Sequence, residues 1–154
     1  MSQSAEPPGA AQRRSSGESR ARPLLHRGFL VAGGSLLIAA LATDCAYTAT
    51  ALWLWANFSA WLIAAGLIVV LGAVIVLAID FATGRAARLN AGTFALVAAA
   101  ALLSVINALV HSRDAWTSVV PQGIFLSAVS TILLLIAAAR GWNIATSRAP
   151  GDRA

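Results

Sequence analysis

The chain has 154 residues, of which 58% are hydrophobic and only 11% are charged, and its formal net charge is +5. Soluble domains carry about 25% charged residues, so this composition excludes an ordinary soluble globular protein. The positive charge comes from arginines in the termini and between apolar runs, rather than from a folded face with stacking or base-reading groups. We therefore expect the lipid bilayer as a partner and no nucleic acid.

The apolar residues form four long runs, each close to the ~20 residues that cross about 30 Å of hydrocarbon. The runs predict membrane spans near 28–48, 58–80, 91–110 and 121–139. The predicted fold class is therefore all-α, an integral membrane four-helix bundle within a membrane domain over residues 23–142.

The two termini have a different composition. Residues 1–22 are rich in Ser, Ala, Gly, Pro and Arg, which predicts a disordered arm, and residues 143–154 form a polar, flexible tail. The basic arm before the first apolar run resembles a secretory signal, but apolar sequence continues almost unbroken to Ile79, which favours a retained span.

The connections between spans are short. Residues 49–57 are uncharged and predict a loop in which Trp53 and Trp55 mark the interface. Residues 81–90 form a second loop, and Pro121 suits the first turn of the fourth helix, where its missing N–H costs nothing.

Arginine distribution predicts the orientation. Five arginines precede the first span, two lie in the middle loop and three follow the fourth span, whereas the other side has only Arg113. By the positive-inside rule, both termini are cytoplasmic.

Polar residues within the spans are candidate functional groups. Asp44 lies near the outer end of the first span and Asn107 near the outer end of the third, so the two are candidate partners. We expect Asn107 or a hydroxyl to hold a buried Asp44; a role in proton handling or partner contact is the alternative. At the inner end, Asp80 lies near the level of His26 and Arg27. We expect Asp80 and Arg27 to be ordinary flanking charges; an ion pair at this end is the alternative.

Helical spacing predicts which faces point inward. Small and polar residues recur at three, four or seven positions and let helix backbones approach closely. These stripes are His26, Gly33, Leu37, Ala40, Asp44 and Thr48; Ser59, Gly66, Ala73 and Asp80; Thr93, Ala100, Ser104, Asn107 and His111; and Gly123, Ser127 and Ser130.

The sequence lacks patterns typical of a cofactor site or an enzyme. Its two histidines, His26 and His111, lie at opposite membrane faces and cannot share a haem, and Cys45 is alone, which argues against zinc or a disulfide. No catalytic triad order or phosphate-binding loop is present. We expect no cofactor, no metal and no enzymatic activity.

Several segments together resemble the bacterial membrane-protein family known as domain of unknown function 2231. The resemblance rests on residues 43–47, 60–66, 80–81, Asn107 near 113–114, 121–123, 126–127 and 141–142. Family members typically have prolines where this chain has Arg27 and Gly33, and a histidine near 89–93 that is missing here. The resemblance implies a bacterial plasma-membrane location, and related domains joined to Rieske-type iron–sulfur domains imply a membrane redox partner.

The leading functional interpretation is a non-enzymatic membrane anchor or docking subunit. The alternative is a small transporter or proton-conducting subunit in which Asp44 titrates, and four short spans could build a pore only as a homo-oligomer.

Overall fold

The computed structural model describes residues 25–113 and 119–147. Four long helices run through them: α1 (His26–Thr50), α2 (Trp53–Ala82), α3 (Ala91–His111) and α4 (Gln122–Ala139). Each helix is long and apolar enough to cross a membrane. The predicted arm, residues 1–22, lies outside the described residues, as does the tail from residue 148 onward.

The predicted loop over residues 49–57 is wrong. Helix α1 continues to Thr50 and α2 begins at Trp53, so only Ala51 and Leu52 connect them. Ala51 adopts a left-handed conformation, with φ 53°, and donates its N–H to Tyr47 O at 2.7 Å, which closes α1. The residues after Leu52 include no proline or glycine before Gly66, so nothing local delays the next helix.

The four helices pack side by side, with α1 against α2 and α4, and α3 against α4 and α2. The predicted inward stripes are confirmed at nearly every position, since their members are buried. The exceptions are Thr48, which is exposed, and His111, which is half-buried as a residue although its side chain is buried. Large apolar side chains cover the outside of the helices, among them Trp61 at 69% and Ile68 at 70% exposure, as lipid contact requires.

Helices α1 and α2 approach most closely at two glycines. A Cβ added to Gly33 would lie 3.0 Å from Gly66 O, and one added to Gly66 would lie 3.1 Å from Gly33 O. Leu37 and Val70 fill the space on either side, and both are buried. Glycine is therefore required at this crossing because any side chain would separate the helices.

Two short strands close one end of the helices. Strand β1 (Ala86–Leu89) pairs antiparallel with β2 (Ala145–Ser147), and Asn90 donates its N–H to Ile144 O at 2.9 Å. The tail predicted as flexible is therefore ordered through Ser147. The sheet is a small addition to an otherwise all-α fold.

Trp142 anchors this C-terminal segment. Its ring lies against Gly34 of α1, where an added Cβ would be 2.5 Å from Trp142 Cη2, and the side chain is 9% exposed. Gly141 and Trp142 have φ values of 71° and 56°, which turn the chain back toward the helices after α4. The end with His26, Asp80 and the strands is called the Asp80 end below, and the opposite end is called the Asp44 end.

Candidate functional site

Asp44 lies on the buried face of α1. The side chain is 0% exposed, and Ala40 and Tyr47 flank it on the same face at helical spacing. A carboxyl group so far from water must be bound by other polar groups, because leaving it without partners would cost several kcal/mol. Its neighbours on the other helices supply them.

Two helices bind the Asp44 carboxyl group. His111 of α3 places Nε2 3.0 Å from Asp44 Oδ1, and Ser127 of α4 donates its hydroxyl to Asp44 Oδ2 at 2.5 Å. The His111 side chain is 1% exposed, so the contact is dry. One side chain of α1 thus joins α1 to both α3 and α4.

Asn107, one turn before His111 on α3, contacts both His111 and Ser127. Its Nδ2 donates to Ser127 Oγ at 2.7 Å, while His111 Nδ1 lies 3.0 Å from Asn107 O and 3.1 Å from Asn107 Oδ1. We call Asp44, Asn107, His111 and Ser127 the Asp44 cluster. Its hydrogen bonds form a closed ring of four side chains.

The donors and acceptors in the ring fix how many protons it holds. Because Asn107 Nδ2 donates to Ser127, the oxygen of the same amide faces His111, and Nδ1 must carry a hydrogen. The contact between His111 Nε2 and Asp44 Oδ1 then holds one further proton. The pair is a carboxylic acid with a neutral imidazole or a carboxylate with an imidazolium, and in either form its net charge is zero.

A second carboxyl–imidazole pair lies at the Asp80 end. His26 Nδ1 lies 3.2 Å from Asp80 Oδ2, so His26, rather than Arg27, contacts Asp80 at this end. Arg85 Nη1 lies 4.0 Å from Asp80 Oδ1, but its side chain is 58% exposed, so this interaction is weak. The expectation of an ordinary flanking charge is wrong for Asp80, because Asp80 is 2% exposed and contacts the buried His26.

The structure thus divides the predicted residues into two groups. Asp44 and Asn107 meet at one end, joined through Ser127 and His111 rather than by direct contact, and His26 and Asp80 meet at the other. Sequence reasoning missed His111 as the partner of Asp44. The available signal was its position four residues after Asn107, on the same face of α3.

The two clusters are far apart. Eighteen residues of α1 separate His26 from Asp44, a rise of about 27 Å at 1.5 Å per residue. Leu37, Ile63 and Leu134 fill the interior between them. The hydroxyl of Ser104, also in this layer, returns to the carbonyl of Ala100 on its own helix, at 2.8 Å. The two imidazoles therefore cannot serve one ligand.

A cavity of about 280 Å³ lies one turn beyond Asp44, lined by Tyr47, Thr48, Ala51 and Val120. Its walls are mostly apolar. Among the described residues, no group of three or more His, Cys, Asp or Glu side chains is placed to hold a metal ion.

Four apolar helices of membrane-spanning length, tied together by polar contacts in their interior, define a multi-pass membrane protein. Residues 30–152 match the model of the family described as predicted membrane protein, domain of unknown function 2231, and the chain belongs to this family. Neither the curated proteins nor the solved structures gave a match to the chain.

Proposed function

We propose that this chain is a non-enzymatic anchor or docking subunit of a bacterial plasma membrane. The observation that carries this proposal is that α1 is bound to the other three helices by side chains at both ends, through Asp44 and His26. Contacts of this kind hold the four helices in one fixed arrangement, and a docking surface needs such an arrangement.

The proposed orientation places the Asp80 end in the cytoplasm. Arg27, Arg85, Arg88 and Arg140 lie at that end, whereas Arg113 lies at the Asp44 end. Both chain termini then face the cytoplasm, where a soluble or peripheral partner would be reached.

The docked partner is proposed to be a membrane redox protein, on the ground of the resemblance to domains joined to Rieske-type modules. Purification from native membranes in mild detergent, after chemical crosslinking, tests the proposal. We expect one protein to co-purify in a fixed ratio and to carry haem or iron–sulfur absorption. Purification of the chain alone, without a discrete crosslinked product, would overturn the docking role.

A matched variant separates docking from the chemistry of Asp44. Asp44→Asn keeps the volume of the side chain and can still bond to Ser127, so an anchor should retain its partner in this variant. Loss of the partner from Asp44→Asn with an unchanged helix content would show that docking depends on the chemistry of the Asp44 cluster.

Proton conduction is the second candidate, and the one-proton contact between Asp44 and His111 favours it. The cavity lined by Tyr47 lies within one helical turn of the Asp44 carboxyl group and would give protons a route to it. Buried intramembrane acids commonly serve as proton sites. The apolar layer between the clusters opposes it, because a proton would need a path past Leu37 and Ile63.

Proton flux into proteoliposomes with a pH-sensitive dye distinguishes the candidates. Conduction predicts a flux above protein-free vesicles that Asp44→Asn abolishes, with Ser104→Ala as the control for a buried polar group outside the cluster. A wild-type flux at background removes the second candidate and leaves the docking role untouched.

A further inference from the structure

Charge is distributed unevenly over the described residues. Arg27, Arg88 and Arg140 are exposed at the Asp80 end. The only carboxylates in residues 25–113 and 119–147 are Asp44 and Asp80, and both are buried. Within that part of the chain, neither Arg27 nor Arg140 has a carboxylate within 4.0 Å. Their positive charges are therefore not balanced by these residues.

The side chains of Arg27 and Arg140 lie at adjoining ends of α1, α3 and α4. Arg27 Nη2 would be 3.8 Å from a Cβ added to Gly141, the residue that follows Arg140. Arg140 Nη1 would be 3.2 Å from a Cβ added to Gly92, the second residue of α3. Three helix ends meet here, and the N-terminus of α3 adds the positive end of its dipole.

Arg27, Arg140 and the first turn of α3 form a positive patch at the depth of a lipid headgroup. Arg27 lies in the first turn of α1 and Arg140 directly follows α4, so both lie where the apolar spans end. One turn deeper, Phe94 and Ile136 are each 40% exposed and offer apolar surface for acyl chains. A positive patch above an apolar surface suits an amphiphile with an anionic head.

We propose that Arg27 and Arg140, together with the first turn of α3, bind the phosphate headgroup of an anionic phospholipid. Each guanidinium can donate two parallel N–H groups to phosphate oxygens, which an ammonium cannot do. The acyl chains lie along Phe94 and Ile136. This binding site is independent of both the docking role and proton conduction.

Native mass spectrometry of the full chain tests the proposal, after exchange into mixed micelles with equal amounts of phosphatidylglycerol and phosphatidylcholine. We expect wild type to retain phosphatidylglycerol preferentially. Arg27→Gln with Arg140→Gln should reduce the ratio of the two retained lipids by about fivefold for each arginine. Arg113→Gln, which removes an exposed arginine at the Asp44 end, should leave the ratio unchanged.

A second measurement does not depend on the variants folding. Added sodium chloride should lower the preference of wild type, because an exposed phosphate–guanidinium contact is screened by salt. Equal retention of both lipids by wild type would overturn the proposal, as would an unchanged preference in a folded double variant. Stabilisation of the protein by inorganic phosphate to the same extent as by phosphatidylglycerol would also overturn it, because the site would then recognise a free anion.

Discussion

Asp44 of α1 and His111 of α3 are joined by a 3.0 Å contact between a carboxyl oxygen and an imidazole nitrogen, 67 residues apart in the chain. The side chains are 0% and 1% exposed. Water therefore cannot replace either partner when the other is removed, which makes this contact the strongest test of how the helices are held together.

Asp44→Ala should lower the free energy of unfolding by about 3 to 5 kcal/mol, the usual cost of removing one partner from a buried pair. His111 and Ser127 would lose their hydrogen-bond partner in this variant. Unfolding in mixed micelles, followed by circular dichroism, measures the change. The double variant Asp44→Ala with His111→Ala should lose less than the sum of the single losses. Additive losses would show that the two groups do not interact.

Gly66→Ala should destabilise the protein by about 1 to 3 kcal/mol, because its Cβ would overlap Leu37 at 2.8 Å and press on Gly33 O. The same unfolding assay measures it. Gly28→Ala is the matched control, since an added Cβ there meets nothing within 4 Å. Equal stability of the two variants would contradict the close crossing of α1 and α2.

Trp142→Ala should release the C-terminal segment from the helices. The ring fills the space above Gly34, and truncating such a side chain costs about 3 to 5 kcal/mol. Hydrogen–deuterium exchange should rise in residues 86–90 and 143–147, which share the strand pairing and the Asn90–Ile144 hydrogen bond.

Trp61→Ala is the control for this change, because Trp61 is 69% exposed. It should leave exchange in both segments as in wild type. Slow exchange in both segments of Trp142→Ala would mean that the strands hold the segment without the ring.

Single-cysteine labelling tests the proposed orientation. In a Cys45→Ala background, Arg113→Cys should react with a membrane-impermeant maleimide in intact cells, and Arg88→Cys only after permeabilisation. Both positions are exposed, so access depends on the side of the membrane. The reverse pattern would place the termini outside the cytoplasm.

The helices and their inward faces could be predicted from the sequence because both depend on local information. Length and hydropathy indicate the spans, and the spacing of residues such as Gly33 and Gly66 indicates the packing faces. The start of α2 could not be placed in the same way. Trp53 and Trp55 fit an interfacial loop as well as a first helical turn.

Long-range contacts were harder to predict than the helices. Arg88 and Thr146 pair across 58 residues, and neither segment has the alternating pattern of a strand. The Asp44–His111 contact depends on the axial register of α3 against α1, which an alanine-rich sequence does not specify. For Asp80, depth along the spans indicated His26 and Arg27 as neighbours, but it did not specify that the contact is with His26.

Helices α2 and α4 differ greatly in length, with 30 and 18 residues. At 1.5 Å per residue they measure about 45 Å and about 27 Å, on either side of the ~30 Å hydrocarbon thickness. The protein therefore meets the bilayer with unequal hydrophobic heights on its two flanks. Helix α4 is close to the hydrocarbon thickness, whereas α2 must tilt or extend beyond the acyl chains.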